Sequence, residues 1–160
     1  MAENQVYADN DGNLDITRGA MTTRADWQLA DLLSRAEHQV SRRLSATLQR
    51  EDLSLDQWRV LSLLSDGTGH TMSDVGDHVM LPAATLTRVI DRLVELALIY
   101  RRPDLEDRRR VHVFLSTRGH SLHNRLADII DHEEAAVMAA LGDEERDLLA
   151  DFLHRLATLE

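Results

Sequence analysis

The 160 residues include no cysteine. Disulfide staples, thiol redox sensing and thiolate zinc sites are therefore excluded. Lysine is also absent, and all eighteen basic side chains are arginine. A GC-rich genome would account for that bias as readily as function would. No run approaches the roughly 18 apolar residues of a membrane span. The first residues carry neither a basic head nor an apolar stretch, so no secretory signal is visible. A cytoplasmic location and no membrane partner are the expectation. The chain has no Gly-rich phosphate loop and no serine in a nucleophile-elbow setting. The reading is therefore no enzyme and no cofactor. Repeats and low-complexity tracts are missing as well.

The formal net charge is −10, but it is unevenly spread. The window 81–118 holds eight arginines against five carboxylates, a net +3, which leaves −13 for the rest. Salt screens charges beyond roughly 8–10 Å, so the local surplus matters more than the total. An acidic remainder would also discourage unspecific coating of DNA.

A chain of this length can bury a core in one domain, with or without an appendage. Residues 1–25 read as a polar arm, with Asn10-Asp11-Gly12-Asn13 as a loop signal. A first helix is expected from Asp26 to Gln49, with Leu29, Leu33, Ala36, Val40, Leu44 and Leu48 at helical spacing. Ser54-Leu55-Asp56-Gln57 opens a second, Gln57–Leu64, which Gly67-Thr68-Gly69 breaks. Ser73 is the expected cap of a third, Asp74–Met80. Pro82 suits the first turn of a fourth, Ala83–Ala97, because proline lacks only an N–H that would be unpaired there.

A β-hairpin follows. Two strand-like runs flank Pro103-Asp104, and arginines crowd the turn and its second shoulder. Val111, Val113 and Leu115 alternate with Arg110, His112 and Phe114, a half-buried pattern. Ser116 then caps a long fifth helix with Gly119 in its first turn. Gly142-Asp143 separates it from a sixth. The expected fold class is mainly α with a small β-hairpin wing. It comprises a winged helix-turn-helix over 51–116, with dimerisation helices at 26–50 and 117–160.

On the fourth helix Leu86, Val89, Ile90, Leu93 and Val94 form the stripe expected in the core. Thr85, Arg88 and Arg92 fall opposite. Such a face on an anchored helix suits the major groove, where guanidinium can fork onto guanine and a Thr methyl can touch thymine. The alternative is surface pairing of Arg88 with Asp91 and Arg92 with Glu95. The hairpin arginines suit a narrow groove of negative potential, or equally a solvated surface. At the far end Phe152, Leu153, Leu156 and Leu159 would be exposed in a monomer, so a two-fold interface is expected there. Packing of these helices within one chain is the alternative.

From about Leu33 to Leu126 the chain resembles the MarR family of transcription regulators. The likeness is carried by Met72-Ser73-Asp74-Val75-Gly76-Asp77-His78-Val79 and by Ala84-Thr85-Leu86-Thr87-Arg88-Val89-Ile90-Asp91-Arg92-Leu93. It continues through Leu98-Ile99-Tyr100-Arg101-Arg102, Asp104-Leu105-Glu106-Asp107-Arg108-Arg109 and Leu115-Ser116-Thr117-Arg118-Gly119. The resemblance implies an obligate homodimer on a pseudo-palindromic duplex operator, acting as a repressor and released by a small phenolic or carboxylic ligand. It makes Thr85, Thr87, Arg88 and Arg92 major-groove candidates and Arg108, Arg109 and Arg110 wing candidates. Asp107 would orient a wing arginine rather than touch DNA. Pro82 departs from the pattern, since relatives usually carry a capping serine there.

For the effector, Trp58 and Arg59 offer an indole wall beside a cation, with His38 and His112 adding polarity. Each has a bland reading, Trp58 as core and Arg59 as surface charge. His120, His123, Asp128, Asp131 and His132 fall near one another in sequence but lack the spacing of a metal cage, so no metal is expected. An acidic protein-interaction module that keeps the winged helix without binding DNA is the rival function.

Overall fold

The computed structural model describes residues 28–104, 107 and 110–158. The expected arm, Asp26, Arg108, Arg109 and Leu159 lie outside the described residues. The chain divides into two units, 1–35 and 36–160. The elements are α1 (Leu29–Leu48), α2 (Leu55–Leu63), β1 (His70–Thr71), α3 (Met72–Val79), α4 (Ala83–Glu95), β2 (Ile99–Pro103), β3 (Val111–Leu115), α5 (Thr117–Met138) and α6 (Asp143–Ala157). The fold is mainly helical with one three-stranded antiparallel sheet, ordered β1-β3-β2. Among the described residues, no helix is long and apolar enough to cross a membrane.

The helix starts follow from short-range hydrogen bonds. Ser54 Oγ accepts from the Gln57 amide at 3.2 Å, and Gln57 Oε1 accepts from the Ser54 amide at 2.8 Å. This reciprocal box satisfies two donors that the first turn of α2 would otherwise leave unpaired. The same box starts α3, but its members are Thr71 and Asp74. The expected Ser73 cap is thus corrected. Thr71 ends β1 with extended backbone and can accept from the third helical residue, whereas Ser73 already lies inside the helix.

Pro82 is the residue before α4 rather than a member of its first turn. Its φ of −57° and ψ of 141° are not helical, and its carbonyl accepts from Thr85 and Leu86. The helix ends at Glu95, two residues sooner than expected. Ala97 turns left-handed at φ 55°, and the Leu98 amide reaches the Leu93 carbonyl at 2.9 Å. That closes the helix and releases the chain into β2.

The two-residue β1 was not foreseen. His70 pairs with Val113 and Thr71 with His112. Gly69 leads into it at φ 76°, and a Cβ there would fall on the Phe114 ring. The ring therefore lies close over the backbone, and Phe114 is half-buried rather than simply outward.

The core of the second unit draws on α1 to α5 and the sheet. Leu61, Leu64, Val75, Ile90, Leu93, Val113 and Leu126 each expose 1% or less. Leu86 joins Ile90 and Leu93 as the fully buried stripe of α4, with Val89 and Val94 half-buried beside it. Fully burying such side chains contributes about 1.5–3 kcal/mol each. α6 contributes no buried residue.

Where α5 starts, Ser116 Oγ accepts from the Gly119 amide at 2.9 Å and donates to the Ala97 carbonyl at 2.7 Å. A Cβ on Gly119 would land on the Leu98 carbonyl oxygen and the Leu115 side chain. Gly119→Ala should therefore cost about 1–3 kcal/mol of stability, since a backbone carbonyl cannot swing aside as a side chain would. Urea unfolding measures this, and an unchanged midpoint would mean that the α4–β2 turn yields freely.

Candidate nucleic-acid interface

The buried stripe of α4 fixes which residues face outward. Ala84, Thr85, Thr87, Arg88, Asp91 and Arg92 are all exposed. Arg88 has no ion-pair partner among the described residues. Its expected local partner, Asp91, bonds instead to Arg101 of β2 at 2.7 Å. Arg92 does form the local pair, with Glu95 at 3.1 Å. The Thr87 hydroxyl donates back to the Ala83 carbonyl at 2.9 Å. Arg101 thus ties the recognition-type helix to the first wing strand. It also neutralises a carboxylate that would otherwise face incoming phosphate.

The other face of the hairpin carries the alternate residues. Tyr100 is directly opposite Phe114 and Arg102 opposite His112. Tyr100 and Phe114 stack at 5.5 Å, and the Arg102 guanidinium lies 4.4 Å over the Phe114 ring. Cation and aromatic face hold each other in place. The tandem Arg101-Arg102 is therefore split. One arginine braces α4, and the other rests on an aromatic shelf. Strand alternation in the sequence carries this split, although the partners came only with the fold.

At the wing root the backbone closes a turn. The Arg110 amide donates to the Asp107 carbonyl at 2.8 Å, and the Asp104 amide donates to the Arg110 carbonyl at 2.9 Å. Asp107 also pairs with the Arg110 side chain at 3.8 Å, and the Asp107 amide donates to Asp104 Oδ1 at 2.9 Å. His112 stands 3.7 Å from Asp104. Opposite them the Thr71 hydroxyl, followed by its amide, holds the Asp74 carboxyl below the ordinary aspartate value. His70 and His112 add smaller pulls in the same direction. A depressed folded-state pKa means this cap acts above the usual aspartate range. It is lost as acid protonates Asp74.

The four residues considered for an effector are not brought together as one wall. Trp58 is buried and stacks on His123 of α5 at 5.0 Å, with the rings within 8° of parallel. Arg59 is spread between Glu37 and Asp56, each at 3.7 Å. His38 is exposed on α1. His112 belongs to the wing root, where it borders a hollow with Thr71, Asp74 and Arg110. A separate hollow of about 320 Å³ lies along α5, lined in part by Leu53, Leu98, Arg118, Ser121 and Arg125. None of the four lines it. Arg125 there is tied to Glu51 at 2.6 Å. Local sequence patterning does not reveal this hollow, because its walls come from three separate stretches of chain.

Phe152, Leu153 and Leu156 expose 52%, 40% and 41% of their surface, and Leu148 exposes 56%. Counted from Leu148 they lie four, five and eight residues on, one side of α6.

Residues 53–111 match the model of the MarR family. The chain is 28% identical over 113 residues to the HTH-type transcriptional regulator FarR of Neisseria gonorrhoeae, spanning 71% of this chain and 77% of that protein. Among solved structures, BpsR of Bordetella bronchiseptica, whose DNA binding is regulated by 6-hydroxynicotinic acid, is similar with a TM-score of 0.75 and 26% identity, over 82% of this chain and 99% of its own. NadR in complex with 4-hydroxyphenylacetate has the same TM-score at 25% identity, over 88% and 100% of the two chains. These relatives are regulators rather than enzymes. The matched segment runs from α2 through β2 to the first residue of β3, the part that carries the arginines described above. By sequence over residues 53–111 and by fold over most of its length, the chain is similar to the MarR family of DNA-binding transcription regulators.

Proposed function

We propose that this protein is a homodimeric repressor of a pseudo-palindromic operator, released by a small phenolic or carboxylic ligand. The observation that carries the reading is the outward face of α4, with an arginine at its middle that has no ion-pair partner among the described residues and a flank braced to the wing by Asp91–Arg101. A rigid helix with an uncommitted guanidinium is what a groove reader requires. Thr85, Thr87, Arg88 and Arg92 enter the major groove in this reading. Arg110, with Arg108 and Arg109 outside the described residues, serves the wing. The lobe is 51–116, and the segments 26–50 and 117–160 join two copies. A two-fold axis then presents two copies of α4 about one helical turn apart. Occupying such a site at a promoter excludes polymerase, which is why repression is the favoured direction.

The ligand class rests on the relatives. BpsR responds to 6-hydroxynicotinic acid and NadR binds 4-hydroxyphenylacetate, both small aromatic acids. In this chain Trp58, Arg59, His38 and His112 remain the proposed contacts, each to be tested singly.

The test is fluorescence anisotropy with the DNA upstream of this protein's own gene, in excess unrelated duplex. Tight, competitor-resistant binding that a panel of hydroxylated aromatic acids reverses is expected. Binding erased by competitor on that DNA, with nothing enriched from a random-duplex library, would favour a protein-interaction module instead.

A further inference from the structure

The outward face of α4 has a restricted chemical vocabulary. Ala84, Thr87, Arg88 and Asp91 are exposed at spacings of three, four and seven residues, hence on one side of the helix. Asp91 is committed to Arg101 at 2.7 Å, so its carboxylate is not offered to a cytosine amino group. The Thr87 hydroxyl proton is committed to the Ala83 carbonyl at 2.9 Å. Arg92, on the flank with Thr85, is held by Glu95 at 3.1 Å. What remains uncommitted at the centre of the face is one guanidinium and two methyl groups.

In the major groove these have distinct complements. A guanidinium forks onto the O6 and N7 acceptors of guanine. A methyl packs on the C5-methyl of thymine. We infer that each operator half-site presents a guanine to Arg88, flanked by thymines whose methyl groups meet Ala84 and Thr87. Thr87 then reads DNA through its methyl group and not its hydroxyl. Ala84 becomes a specificity-determining residue, although its side chain can form no hydrogen bond. Asp91 acts as a positioning residue that keeps its charge out of the groove. The inference rests on the reading that α4 enters the major groove.

The experiment starts with selection of bound duplexes from a random library by the full chain. A guanine flanked by thymines is expected in both half-sites. Anisotropy is then measured on the selected duplex with 7-deazaguanine in place of that guanine, and separately with uracil in place of the flanking thymines. Each change is expected to weaken binding by about fivefold or more, the cost of losing one base contact. Two variants separate methyl from hydroxyl. Thr87→Val keeps the methyl, and should retain both affinity and sensitivity to uracil. Thr87→Ser keeps the hydroxyl, and should lose both at one thymine.

Indifference to uracil, or the reverse order of the two variants, overturns this inference while leaving the DNA-binding regulator intact. A selected sequence without the guanine and thymines does the same. If no sequence is enriched, the groove-reading role of α4 fails, and this inference fails with it.

Discussion

Raising the salt from 50 to 200 mM is expected to weaken operator binding by about 10³–10⁵-fold, the loss that ~6–10 phosphate contacts per dimer impose through counterion release. The positive charge is concentrated in one module, the net +3 window at 81–118, while the remainder of the chain carries −13. Affinity must therefore come from a few arginines close to phosphate and cannot come from long-range attraction to the whole protein. Arg102, fixed on the Phe114 ring, and Arg110, at the closing turn of the wing, are placed to contribute. A logarithmic plot of affinity against salt should be linear and steep. Arg110→Ala should lower its slope by about one per half-site, with folding and oligomeric state unchanged. A shallow slope in the wild type would mean that the arginine module does not lie along the phosphates.

If the proposed dimer forms through α6, replacing Phe152 and Leu156 together by Asp should give monomers with an intact core. No α6 residue is buried within the chain, so two charges there cost the fold little. The same residues, 52% and 41% exposed, lie with Leu148 and Leu153 on one apolar side of α6, and a contiguous exposed apolar side is the kind of surface that marks an interface. In a two-fold dimer each such patch meets its own copy, so two carboxylates per chain become four facing one another in a desolvated interface. Operator affinity should fall with the dimer, by about 10²-fold or more, because one half-site alone loses the effective concentration of the second. Sedimentation reports the mass, and circular dichroism the helix content. A stable dimer in the double variant would place the interface on other helices. A monomer with unchanged operator affinity would remove the two-fold arrangement from the mechanism.

The helices themselves were legible because their causes are local, although α2 and α3 each start two residues before the expected Gln57 and Asp74. Ser54 and Gln57 are three residues apart, as are Ser116 and Gly119, and each pair closes its own hydrogen bond. The same rule applied to Thr71-Met72-Ser73-Asp74 shows a box pattern starting two residues before Ser73. Without β1 before it Thr71 has no reason to be extended, and Ser73 then looks like the cap. A two-residue strand has no periodicity of its own. It exists only because His70 and Thr71 meet Val113 and His112, some forty residues away.

The interface divides in the same way. That α4 would bury Leu86, Ile90 and Leu93 and expose Thr85, Arg88 and Arg92 follows from a period of 3.6 and needs no neighbours. Which carboxylate each arginine meets does not follow. Asp91 has Arg88 three residues before it and Arg101 ten after it, and spacing alone favours the first. The fold chose the second, because the Ala97 turn returns β2 alongside the helix and brings that guanidinium to 2.7 Å. Arg92 had no such competitor and kept its local partner Glu95. Trp58 likewise acquired a stacking partner, His123, that lies 65 residues on.

The sequence by itself determined the helices, the hairpin, the face of α4 and the concentration of arginine on one module. All of these depend on dihedral preference, capping and apolar spacing within a few residues. Only the tertiary structure decided which arginines are spent on carboxylates and aromatic rings and which are left for a ligand. Those choices depend on distances between residues far apart in the chain, and a one-dimensional pattern does not contain them.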